Sequence, residues 1–161
     1  EGDRLTILDI CLNNPMDKLK ARQLNPVSLA FAGDCVYDLY VRSGLVRDIG
    51  CNSHKLHCMA IRYVSARGQA VSFERIRASL SDEELYIFKR GRNANPATVP
   101  KNADIGDYRT ATGLEALMGY LFLTGQTERI GALMGIIMNN DGGAGPALSG
   151  GDNSDAGGLE Q

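Results

Sequence analysis

No apolar run in these 161 residues reaches the ~18 positions a membrane-spanning helix requires, so no membrane association is expected. No basic start leads into a short apolar stretch, so no secretory signal is visible; because the chain begins at Glu1 rather than Met, a removed leader stays open. Cysteine is scarce, and Cys11, Cys35, Cys51 and Cys58 show no CxxC spacing, so they read as reduced thiols of a cytoplasmic protein. His54 and His57 beside Cys58 lack the second thiol pair of a structural zinc site. Alternation of period two is also missing, which leaves no convincing strand.

Net charge is nearly absent too, at a formal −2, but its distribution is uneven. Residues 141–161 carry Asp141, Asp152, Asp155 and Glu160 and no base, so the remainder holds 17 bases against 15 acids. Within that remainder, residues 86–109 gather Lys89, Arg90, Arg92, Lys101 and Arg109 against Asp104 and Asp107, a modest basic patch. Residues 141–161 also contain seven glycines and no apolar periodicity, and read as a flexible tail. One domain over residues 1–140 followed by that tail is the expected organisation.

What is present is helical periodicity. An opening helix is expected over Arg4 to Leu12, closed by Asn13, Asn14 and Pro15. A second begins at the N-cap Asn25 with Pro26 in its first turn and runs to about Val46. A long amphipathic stretch covers Ser53 to Ala78, weakened at Gly68. Ser81 and Glu84 form a capping box for a short helix through Phe88 and Lys89. The segment GRNANPATVPKNAD interrupts helicity, after which helices are expected over Asp107–Leu123 and Thr127–Met138, separated by Thr124-Gly125. These elements predict an all-α bundle. Ala30, Ala32, Gly33, Ala111, Gly113, Ala116 and Gly119 would let two of its helices approach closely.

Two acids interrupt the apolar stripes of those same two helices. Asp34 aligns with Ala30, Tyr37 and Val41, and Glu115 with Ala111, Met118 and Phe122. A carboxylate buried without a partner costs several kcal/mol or takes up a proton, so it pairs, accepts hydrogen bonds or binds a cation. Two readings therefore compete: carboxylates satisfied by amides or an arginine, or a divalent metal site. Magnesium takes oxygen ligands and commonly only one or two carboxylates, which Asp34 and Glu115 would supply. The loop RGRNANPATVPKN, with Arg90, Arg92, Asn93, Lys101 and Asn102, adds donors suited to a phosphodiester backbone. Together they point to a metal-dependent nuclease.

The strings LAFAGDCVYDLYVR, LHCMAIRYVSARGQA, KRGRNANPATVPKN and YRTATGLEALMGYLFLTG, in that order, resemble the ribonuclease III superfamily. They are most similar to Mini-ribonuclease III, its compact bacterial type without a double-stranded RNA-binding domain. The resemblance covers about Asn25 to Met138. It implies an all-α endonuclease bundle and gives Asp34 and Glu115 the catalytic and magnesium-binding roles. It further implies a homodimer cutting double-stranded RNA to 5′-phosphate and 3′-hydroxyl ends. The implied substrate is precursor of the large-subunit (23S) ribosomal RNA, with a ribosomal protein as a plausible helper.

Conventional ribonuclease III carries further acids where this chain has Val27, Ala30 and Thr112, a thinner pattern that Mini-ribonuclease III shares. Without a separate RNA-binding domain, the basic loop from Arg90 to Asn102 is expected to hold the duplex. Asp38 reads either as an outer acceptor near the metal or as a surface partner of Arg42, and Thr112 as a water ligand or an i−4 backbone donor. Tyr37 and Tyr108 are either core or site residues. The competing function is a catalytically silent helical RNA-binding or ribosome-associated module.

Overall fold

The computed structural model describes residues 13–49, 52–94, 102 and 104–139. Among the described residues, α-helices follow one another as α1 (Lys18–Gln23), α2 (Pro26–Ile49), α3 (Ser53–Val64), α4 (Ala66–Ile76), α5 (Asp82–Arg92), α6 (Ile105–Leu123) and α7 (Thr127–Asn139), with a 3-10 turn at Arg77–Ser79. Among the described residues there is no strand, and no helix is long and apolar enough to cross a membrane. The expected helix at Arg4–Leu12 and the tail 141–161 lie outside the described residues.

Helix α6 is the axis of the bundle because it is apolar on every side. Ala111, Gly113, Leu114, Ala116, Leu117, Met118, Gly119, Tyr120 and Leu121 are all buried, as expected of a helix surrounded by others. Its most extensive packing is against α2, then α5 and α4. Helix α2 contributes Leu29, Ala30, Val36, Tyr37, Val41 and Leu45 to the core. The Asn25 side chain accepts from the Val27 amide at 2.9 Å and so caps α2 as expected.

Two glycines set the spacing of this pair. A Cβ on Gly33 would stand 1.7 Å from the Glu115 carbonyl oxygen, and one on Gly119 would stand 2.0 Å from that of Leu29. The two backbones therefore touch where the sequence placed small residues. Gly33 precedes Asp34 and lies against Glu115, so the contact that joins the helices also makes their acids neighbours.

The long stretch expected over Ser53–Ala78 does break, at Ser65 rather than Gly68. The Ser65 side chain accepts from the Gly68 amide at 3.1 Å and starts α4, while the same residue ends α3. Serine competes for the backbone and wins at a helix start. Gly68 is needed for another reason: a Cβ there would meet the Arg62 carbonyl oxygen at 2.2 Å, so it permits the tight corner. The Ser81–Glu84 capping box is formed in full, and Gly125 takes φ 72°, stopping the chain after α6.

Helix α1 went unpredicted. Asp17 caps it, accepting from the amides of Leu19 at 3.0 Å and Lys20 at 3.1 Å. Arg22 lies over the Tyr86 ring at 4.1 Å and pairs with Glu83 at 3.0 Å, docking α1 on α5.

Candidate active site

Asp34 and Glu115 line one open cleft of about 250 Å³ with Val27, Ala30, Phe31, Cys35, Ala94, Tyr108 and Thr112. Positions 81 apart in sequence thus share one concavity. One correction concerns burial. Ala30, Tyr37 and Val41 are buried as the stripe predicts, but Asp34 is exposed because the stripe opens onto the cleft at its level. Glu115 is half-buried.

Burial pushes the Glu115 carboxyl up to about 7, against a hydrogen bond from Gln69 that favours the ionised form, and the nearby Asp34 charge adds to the rise. Partial burial and then Asp38 raise Asp34 as well. A divalent cation bound beside Asp34 and Glu115 would relieve the cost of ionising Glu115, and two carboxylates in an open cleft are a donor set that fits magnesium. Among the described residues there is no cluster of three or more His, Cys, Asp or Glu groups. The site rests on two carboxylates, with Val27, Ala30 and Thr112 lining the same cleft.

The neighbouring polar groups resolve their alternatives. Arg42 Nε donates to both oxygens of Asp38 at 2.8 Å, so Asp38 is a surface ion-pair partner. The Thr112 hydroxyl donates to the Tyr108 carbonyl one turn back at 3.1 Å. Tyr37 is core, its hydroxyl 2.9 Å from Ser72 Oγ, whereas Tyr108 lines the cleft. Cys35 and Cys58 are free thiols.

Gln69 was missed by sequence reading. It is 2% exposed, and its amide nitrogen donates to Glu115 Oε1 at 3.0 Å and to the Val64 carbonyl at 3.4 Å. A glutamine within an apolar helical stripe was the available signal.

The expected RNA-contact residues divide. Arg92 and Asn93, at the end of α5, and Asn102 are exposed. Lys101 lies outside the described residues. Arg90 is half-buried and turned inward, donating to the backbone carbonyls of Arg22 and, at 3.1 Å, Leu24. It therefore ties the end of α1 to α5, a task that the basic composition of the segment did not reveal.

Residues 27–126 match the Ribonuclease III domain family. A Mini-ribonuclease 3 from Enterococcus faecalis is 47% identical over 115 residues, covering 70% of this chain and 87% of its own length. One from Clostridium tetani is 39% identical over 131 residues, with 80% and 85% covered. The crystal structure of a protein from Fusobacterium nucleatum aligns with a TM-score of 0.67 at 28% identity, over 74% of this chain and 96% of that one.

Proposed function

The chain belongs to the ribonuclease III domain family, and from that premise we propose that it is a magnesium-dependent endoribonuclease that cuts double-stranded RNA and matures the ends of large-subunit (23S) ribosomal RNA precursor. The observation that carries the reading is the shared cleft of Asp34 and Glu115, opened to one side and backed by a glycine contact that fixes their separation. When bound there, magnesium would supply Lewis-acid activation of water and neutralise charge at the phosphodiester. Asp34, at the cleft mouth, and Glu115, deeper and held by Gln69, are the groups that would hold it.

Arg92, Asn93, Lys101 and Asn102 are the proposed duplex contacts, running in sequence from the last residue of α5 toward the start of the Glu115 helix. Phosphate contacts of this kind give affinity that falls steeply with salt. Arg90 is left out of this set because it holds α1.

A homodimer is part of the proposal. Val27, Phe31, Leu39 and Val46 are exposed on the solvent side of α2, Phe31 by 83%. Four exposed apolar side chains on one helix favour burial against a second copy, which would double the duplex contact area. Cytoplasmic location and assistance from a ribosomal protein complete the reading.

The substrate claim is tested by offering a precursor of the large ribosomal RNA with its terminal stems paired, beside an unrelated duplex of equal length. Selective cutting within the terminal stem, with 5′-phosphate ends, is expected. Equal cutting of both at every salt concentration would confine the activity to generic duplexes.

A further inference from the structure

Four polar or charged side chains are buried among the described residues: Gln69, Ser72, Glu84 and Thr124. Three have evident structural tasks. Ser72 bonds the Tyr37 hydroxyl, Glu84 pairs with Arg129 at 2.7 Å, and Thr124 donates to the Tyr120 carbonyl at 2.7 Å. Gln69 differs, because its Oε1 is buried with no hydrogen-bond partner while its nitrogen faces Glu115.

The orientation of that amide follows from its surroundings. Its nitrogen lies 3.0 Å from a carboxylate oxygen and 3.4 Å from a backbone carbonyl, both acceptors only. Turned over, the amide would set its own oxygen against both. The arrangement leaves one buried acceptor unsatisfied, which an apolar residue of similar volume would avoid. What the position gains from glutamine is therefore the donor to Glu115.

We propose that Gln69 is a positioning residue of the cleavage site, its amide N–H holding one oxygen of the Glu115 carboxylate and leaving the other for the divalent cation. The inference rests on the reading of Asp34 and Glu115 as the cation site. Gln69 is placed for the task by the corner between α3 and α4. Ser65 starts α4 there and Gly68 allows the close turn, so Gln69 enters α4 in its first turn, opposite α6. Outer partners of metal-binding groups commonly alter cation affinity by ~10- to 100-fold when removed.

The test uses Gln69→Met and Gln69→Leu, which differ in shape and share the loss of the amide, that is, of the donor to Glu115 and of an acceptor that has no hydrogen-bond partner. Manganese binding is measured without RNA by electron paramagnetic resonance, beside wild type and Glu115→Gln, and thermal melting is recorded for each. Both Gln69 variants should melt within about 4 °C of wild type yet bind manganese ~10-fold or more weakly. Their cleavage should recover at high cation concentration, which Glu115→Gln should not do. Wild-type manganese affinity in both variants would overturn the role of Gln69 alone. Recovery of neither variant at high cation would overturn positioning, since the amide would then act elsewhere in the reaction. Equal manganese binding by wild type and Glu115→Gln would overturn the cation site itself, and this inference with it.

Discussion

At Glu115 the costs of the site are concentrated in one carboxyl group. Its pKa rises from an ordinary 4.5 to about 7, led by burial, so between those values the folded chain binds a proton that the unfolded chain has released. Stability from this group is thus complete below about pH 4.5 and is lost as pH rises through about 7. Without divalent cation, melts from pH 5 to pH 8 should show this fall, and Glu115→Gln should flatten it, by on the order of 1–3 kcal/mol at pH 8. Cation binding requires the ionised form, so manganese affinity measured without RNA should rise with pH to a plateau above about 7. An affinity already flat from pH 5 would contradict the assignment. Because Val27, Ala30 and Thr112 offer no further acids in the cleft, loss of either carboxylate should abolish cutting rather than slow it.

Among elements, the contact of α2 with α6 carries most of the consequence. Gly33→Ala would drive a Cβ into the Glu115 backbone, a clash that rotamer change cannot relieve, so a cost above about 3 kcal/mol is expected in urea unfolding. Arg90→Met should cost roughly 1–3 kcal/mol and speed amide exchange in α1, since two carbonyl contacts are lost. Arg92→Ala should leave stability within about 0.5 kcal/mol while lowering the salt slope of duplex binding by about 1. A reversed pattern for these two arginines would contradict their assignment. The sequence made the capping box, the Asn25 start and the small-residue contact legible because each is a local or periodic signal. It did not make Arg90 legible, because the carbonyls it serves lie 66 and 68 residues away. Helix α1 is too short for periodicity to register, although its Asp17 cap was readable. Asp34 was expected deeper than it lies, since a stripe pattern cannot show where a face opens into a cleft.

For the molecule as a whole, the bundle brings two acids into one cleft, with Ala94 just past α5 in its lining, and leaves Val27, Phe31, Leu39 and Val46 of α2 exposed. Phe31→Asp should therefore halve the mass seen by sedimentation; an unchanged mass would move the dimer contact elsewhere. The central claim is that two carboxylates with a divalent cation cut duplex RNA. The direct measurement is cleavage of a long RNA duplex at low salt, with and without magnesium, by wild type, Asp34→Asn and Glu115→Gln. Cutting by wild type in magnesium alone, with both variants binding the duplex but leaving it intact, is the predicted result. An intact duplex with wild type in magnesium, or normal cutting by both variants, would contradict it.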